Sequence, residues 1–168
     1  MPDLVPIAEA DPNAVERLLD RAFGTERHGR TAYRLRAGTD AIAALSFALV
    51  EGELLIGSIQ CWPVRFAGDD GRDAPLVLIG PVAVLPERQQ GGYGRRLMAA
   101  SLAAADARGD DLMLIGDPEY YGRFFRFTAD RTAGWRLPGP VERHRLLARG
   151  AGVPEGSGAI EPRVVIAA

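Results

Sequence analysis

Lysine is absent from this chain of 168 residues, and all 20 of its basic residues are arginine. A Walker loop of the form Gly-x-x-x-x-Gly-Lys-Ser/Thr is therefore excluded, and with it nucleotide triphosphate chemistry of that type. Cysteine occurs once, at Cys61, so an internal disulfide and a thiolate metal cluster are ruled out. His28 and His144 are the only histidines, too few to make a zinc site expected, and no metal is assigned. No segment reaches the ~18 apolar residues of a membrane span, and the N-terminus lacks a cationic start followed by an apolar stretch. Cytoplasmic location is the expectation, and the arginine-only, alanine-rich usage points to a GC-rich bacterial genome. A net charge of −2 with no basic run beyond short arginine pairs leaves no electrostatic footprint for nucleic acid. Neither nucleic acid nor membrane is expected as a partner.

What is present fits one domain. A composition of 47% hydrophobic and 25% charged residues supports one sizeable core, and the length is short for two, so residues 1–168 are read as a single unit. Leu4 to Ala8 is a strand candidate, and Asp11 caps a helix in which Val15, Leu18, Leu19 and Ala22 repeat at helical spacing. Arg27 to Arg36 reads as a short helix or ordered loop. Ala44 to Val50 and Leu54 to Pro63 form a hairpin across Glu51-Gly52, and Ala67 to Ala74 is the following turn. Leu76 to Val84 is a near-continuous apolar run of a strand buried on both faces, interrupted at Gly80-Pro81, where a bulge or an unpaired edge is expected. Arg95 to Arg108 is a helix with Leu97, Ser101, Ala104 and Ala105 on one stripe, and Asp111 to Gly116 is a second apolar strand. Trp135 to Leu137 and Val141 to Leu147 are weaker strand candidates, and from Ala148 onward glycine and proline dominate, an irregular tail.

The octet Gln89-Gln90-Gly91-Gly92-Tyr93-Gly94-Arg95-Arg96 lies between strand and helix. Three glycines in four positions let the backbone approach a ligand closely, and the helix that follows adds its free N–H groups and the positive end of its dipole. The turn is thus a site for a phosphate or pyrophosphate. Arg95 and Arg96 in the first helical turn oppose the dipole unless an anion is bound nearby. A dinucleotide fingerprint would need a further glycine where Leu97 stands. Downstream, Asp117 is placed as an N-cap with Pro118 at the first helical position, opening a two-turn helix through Tyr120, Tyr121, Phe124 and Phe125.

Gln89, Gly92 and Gly94 match Gln-x-x-Gly-x-Gly, and this region resembles the pyrophosphate-binding signature of the GNAT superfamily of N-acetyltransferases. Gly116-Asp117-Pro118, Tyr120-Tyr121, Arg123 and Phe124 together look like the YhbS-like subgroup. The resemblance covers about residues 4–147, most specifically 76–127. It implies an α/β GNAT fold, a mixed central sheet with a splayed pair of parallel strands flanked by helices. It also implies acetyl-CoA as co-substrate, with main-chain groups of Val82, Ala83 and Val84 near the pantetheine arm. The pyrophosphate falls to Gln89, Gln90, Gly91, Gly92, Tyr93, Gly94 and Arg95, and Asp117 is counted with the coenzyme-binding positions. Tyr121 is in register with the tyrosine that faces the acetyl-CoA sulfur and is the catalytic candidate. Where the family continues Gly-Phe, this chain has Arg126-Phe127, which leaves the end of that helix open.

The same residues have plainer readings. Asp117 serves as a structural cap, Tyr121 packs its ring beneath the sheet with Phe124 and Phe127, Tyr120 is core or lip, Cys61 is a small core residue, and Glu26, Glu87, Glu119 and His28 are solvated. The function implied is acetyl transfer to a primary amine of a small molecule or protein by direct attack in a ternary complex. The alternative is a non-catalytic acyl-CoA-binding sensor or interaction module. The acceptor is unspecified, and a homodimer is left open.

Overall fold

A computed structural model describes residues 1–165. Its strands are β1 (Asp3–Pro6), β2 (Phe47–Glu51), β3 (Leu54–Gly68), β4 (Asp73–Val84), β5 (Leu112–Ile115), β6 (Trp135–Arg136), β7 (Leu146–Arg149) and β8 (Gly158–Pro162), and its helices α1 (Pro12–Phe23), α2 (Thr31–Arg34), α3 (Tyr93–Arg108) and α4 (Pro118–Phe125). The strands make one mixed sheet in the order β1-β2-β3-β4-β5-β7, with β8 paired to β3 and β6 to β8. β4 and β5 run parallel, Val77 opposite Leu112 and Leu78 opposite Met113, whereas β5 and β7 are antiparallel from Leu112 to Ile115. The described chain packs as two compact units, the first Met1–His28, Ala41–Cys61 and Ile79–Arg108, the second Gly29–Asp40, Trp62–Leu78 and the described residues from Gly109 on.

In the first unit α1 starts where local chemistry dictates. The Asp11 carboxylate accepts from the Asn13 amide at 3.0 Å, Pro12 fills the first helical position, and Gly24 at φ 87° ends the helix. Its apolar stripe, Val15, Leu18 and Leu19, is buried. Arg27, 2% exposed, is held by Glu16 and Asp20 of α1 at 2.5 and 3.1 Å. α3 lies close to the strands because small residues permit it. Ser101 donates to the Leu45 carbonyl at 2.7 Å, and a Cβ on Gly57 of β3 would stand 2.9 Å from the Ala83 carbonyl oxygen and 3.1 Å from Leu97 Cδ1. Gly57→Val is accordingly expected to cost about 1–3 kcal/mol through overpacking against main chain that cannot yield. Chemical denaturation checks it, and an unchanged midpoint would contradict the close packing. Cys61 is fully buried with its thiol 3.2 Å from the Leu45 carbonyl, a small core residue as expected.

In the second unit Trp135 and Phe66 form the aromatic core, ring centroids 5.9 Å apart, and the Trp135 indole donates to the Pro154 carbonyl at 3.2 Å. α2 is clamped to the segment 138–140, Thr31 donating to the Pro140 carbonyl at 2.6 Å and Arg34 to the Pro138 carbonyl at 2.9 Å.

Several sequence expectations need correction. The tail is not irregular throughout: β8 pairs antiparallel with residues 64–68 of β3 and parallel with β6, burying Ile160. Its five residues hold one large apolar side chain after a glycine-rich turn, too short a pattern to read. Val141–Leu147 is not one strand; a 3₁₀ turn over Arg143–Arg145 precedes β7, whose last residue is Arg149. β3 extends to Gly68, so the turn is confined to 69–72. On α3, Ala104 is only half-buried, and Met98 and Leu102 join the buried face. At Gly80-Pro81, where the peptide is cis, β4 continues, but its pairing with β5 covers Val77 and Leu78, before this step, in accord with the unpaired edge expected there.

Candidate active site

The glycine turn belongs to the first unit. After β4 the chain takes a 3₁₀ turn over Pro86–Gly91, whose end is Gly92 in the left-handed region at φ 74°. That conformation suits glycine and turns the backbone directly into α3. Gly94 is different, since its φ is unexceptional and no atom lies within 4 Å of where its Cβ would stand. The first turn of α3 is therefore open beside Gly94, and its first amides have no partner inside the helix. α3 carries no acidic residue in that turn.

Ion pairs brace the turn. Arg21 of α1 reaches Glu87 at 2.9 Å, and Arg88 donates to the Glu51 carboxylate at 3.4 and 3.2 Å and to the Tyr93 hydroxyl at 3.2 Å. The Glu87 carboxyl is held below its usual range, first by a backbone N–H and then by Arg21, while Arg88 does the same for Glu51. Arg88 and Glu51 are positioning residues that the sequence did not disclose, being 37 positions apart. Glu87 is exposed, as expected, but it is paired.

Each coenzyme candidate of this unit has a definite place. Val82 and Val84 are half-exposed, and Ala83, 1% exposed, points the other way into the core. Gln89 is exposed, its amide 3.5 Å from the Val84 carbonyl, at the outer limit of a hydrogen bond. Gln90 and Gly91 are exposed on the turn. Tyr93 lays its ring against Gly91, where a Cβ would come within 2.4 Å of it. The arginine pair divides: Arg96 donates to the Pro2 carbonyl at 2.7 Å, and Arg95 is exposed.

The tyrosine helix belongs to the second unit. Asp117 Oδ1 accepts from the Glu119 amide at 3.0 Å and Pro118 opens α4, so Asp117 acts as the cap. At the other end Arg126 occupies the left-handed region at φ 64°, its N–H bonded to the Gly122 carbonyl and that of Phe127 to the Tyr121 carbonyl. Arginine thus takes the conformation that glycine favours, and the helix stops at Phe125 as it would with glycine. Arg126→Gly is expected to stabilise the protein by about 1 kcal/mol, since a non-glycine residue pays roughly 1–2 kcal/mol there. A thermal melt that falls in this variant would contradict it.

Tyr121 is seated on Gly116. A Cβ there would come within 2.4 Å of the ring, and the Gly116 amide is bonded to the Arg145 carbonyl at 2.9 Å. The ring meets Tyr120 edge-on at 4.9 Å and Phe127 at 6.4 Å between centroids. Burial raises the Tyr121 phenol above its usual range, Tyr120 and Asp117 push the same way, and Arg145 opposes them. Tyr120 is half-buried. Phe124 does not pack beneath the sheet: it is 41% exposed, and with Asp117, Tyr120 and Arg123 it lines a hollow of about 560 Å³ on α4 that Tyr121 does not line. His28, Glu26 and Glu119 are exposed. Among the described residues no group of three or more His, Cys, Asp and Glu side chains is placed to hold a metal, and no helix is long and apolar enough to cross a membrane.

Residues 4–124 match the Acetyltransferase (GNAT) domain family. The Escherichia coli (strain K12) protein described as uncharacterized N-acetyltransferase YjhQ is 28% identical over 141 residues, 82% of this chain and 76% of that protein. Among solved structures, the GNAT family N-acetyltransferase YhbS from Escherichia coli in complex with CoA is similar at a TM-score of 0.71 and 21% identity, over 96% of this chain and 89% of that one. A GNAT family acetyltransferase from Brucella melitensis in complex with acetyl-CoA follows at 0.68 and 23%, over 97% and 96%. These two likenesses establish the GNAT fold, with its parallel β4 and β5 in a mixed sheet flanked by helices. Because the family match runs from β1 through the glycine turn and into the last turn of α4, the chain belongs to the GNAT acetyltransferases.

Proposed function

We propose that this chain is an acetyl-CoA-dependent N-acetyltransferase that passes the acetyl group to a primary amine by direct attack in a ternary complex, in the cytoplasm. The observation that carries the reading is Gly94, whose missing side chain leaves open space at the first turn of α3, next to a Gly92 already in the left-handed turn. A Cβ would fill that cradle, and its N–H groups suit a pyrophosphate. The complexes of YhbS with CoA and of the Brucella protein with acetyl-CoA support the choice of co-substrate.

In this reading the amides of 91–95 hold the pyrophosphate with Arg95 at its edge, and the main chain of 82–84 orients the pantetheine arm. The thioester supplies the acetyl group. A backbone N–H near Val84 polarises the thioester carbonyl and stabilises the oxyanion formed when the amine attacks. Tyr121 gives its proton to the departing sulfur, a role that rests on the family resemblance and on a phenol that burial keeps protonated. Holding two reactants in one geometry is worth on the order of 7–11 kcal/mol of barrier. Steady-state release of free CoA across an amine panel tests the proposal. Acetyl-CoA binding without release for any amine would favour the non-catalytic binding module.

A further inference from the structure

In the first unit a tyrosine folds back over the glycine turn. Tyr93 opens α3, and its ring lies against Gly91, where a Cβ would stand 2.4 Å from Cε2, 2.7 Å from Cζ and 2.9 Å from Cδ2 of that ring. Residue 91 can carry no side chain while the ring stays there. Gly91 is not in the left-handed region, so it is the ring, not the geometry of the turn, that demands glycine at this position. Of the three glycines, Gly92 turns the chain, Gly94 leaves room, and Gly91 seats Tyr93.

The far end of the ring is gripped. Arg88 Nη2 donates to the Tyr93 hydroxyl at 3.2 Å, and the same guanidinium donates to both carboxylate oxygens of Glu51, the last residue of β2, at 3.4 and 3.2 Å. A guanidinium presents five donors in one rigid plane, so a single side chain can hold phenol and carboxylate together. The contact from Arg88 to Tyr93 bridges residues 88–93, and Glu51 ties the bridged segment to the sheet. Glycine leaves a chain the most backbone freedom to lose, and ordering a loose loop on binding lowers affinity. A bridge across the turn removes that cost before the ligand arrives. The side chains of Arg88 and Glu51 are 29% and 42% exposed, and an ion pair so open to water contributes little to folding. Its consequence is local order in the turn.

We infer that Tyr93, seated on Gly91 and held by Arg88 and Glu51, pre-orders the glycine turn for the pyrophosphate of the coenzyme, so that coenzyme affinity is set in part by a ring and an ion pair at the flank of the turn. The inference rests on the acetyl-CoA reading of that turn. Calorimetric titration with CoA is the test. Arg88→Met and Tyr93→Phe are each expected to weaken CoA about three- to tenfold, the range of one net hydrogen bond, while the thermal midpoint stays nearly constant. Combined, they are expected to cost little more than the larger change alone, because both open one bridge. Gly91→Ala is expected to weaken CoA about tenfold by displacing the ring, and to cost nothing further in Tyr93→Ala, where no ring needs the seat. In the free protein the amide ¹H–¹⁵N signals of residues 91–94 are expected to shift in Arg88→Met, a change in the turn that precedes any ligand. Unchanged CoA affinity in Arg88→Met and Tyr93→Phe, full additivity of the two, or an undiminished cost of Gly91→Ala in Tyr93→Ala overturns the assignment. Loss of CoA binding in Gly94→Val with none in Arg88→Met would leave the coenzyme site standing and remove the brace, whereas an unaltered protein that binds no CoA would remove both.

Discussion

Gly94→Val is expected to weaken acetyl-CoA binding about 10²- to 10⁴-fold while the protein stays folded. The fold tolerates the change because nothing lies within 4 Å of the added Cβ and the backbone there is not left-handed. Valine at a helical position costs only some tenths of a kcal/mol relative to the better helix formers. The ligand does not tolerate it. A branched side chain in front of the α3 N-terminus takes the space through which a phosphate reaches the amides, and the loss of two charge-assisted hydrogen bonds at about 1.5–3 kcal/mol each gives the stated range. Gly92→Val is the poorer experiment, because φ 74° strains any side chain there by about 1–2 kcal/mol and confuses a lost ligand with a distorted turn. Calorimetry is the measurement, and an unchanged dissociation constant in folded Gly94→Val would remove the pyrophosphate from this turn.

The contrast between those two glycines marks how far sequence reasoning reaches. That a glycine-rich turn opens a helix was legible, because the octet and the apolar run before it are contiguous. Which glycine serves the backbone and which leaves room was not, since φ and empty space are properties of the folded turn. Caps were legible for the same local reason: Asp11 and Asp117 each accept from an amide two residues on. The braces of the turn were not, because Arg21–Glu87 and Arg88–Glu51 join residues 66 and 37 positions apart. Nor was Gly116 as the seat of Tyr121, an absence of side chain whose meaning depends on a ring five residues away turning back over it. β8 was not legible because a five-residue strand with one large apolar residue relies on its partners, β3 and β6, rather than on its own pattern. Arg126 ran against propensity, with tertiary context holding a left-handed conformation that a glycine would adopt freely.

Tyr121→Phe is expected to lower the turnover number by roughly 10²- to 10⁴-fold with little change in acetyl-CoA affinity or stability. Phenylalanine keeps the ring, and with it the seat on Gly116 and the contacts to Tyr120 and Phe127, so only the hydroxyl is lost. Burial first, then Tyr120 and Asp117, hold that phenol above its ordinary value against the pull of Arg145. The proton to be donated is therefore present across the neutral range, and any loss of rate through Tyr121 ionisation is expected only above about pH 10. A second variant probes the same group without removing it. In Gly116→Ala the new Cβ would lie 2.4 Å from the ring, so the ring must move and turnover is expected to fall. Placed on top of Tyr121→Phe, Gly116→Ala is expected to cost little more, because two changes acting through one hydroxyl do not add. Single-turnover measurements separate chemistry from product release. Near-unaltered single-turnover rates in Tyr121→Phe would end its role as proton donor, whereas full additivity of the two variants would show that Gly116 acts on something other than Tyr121.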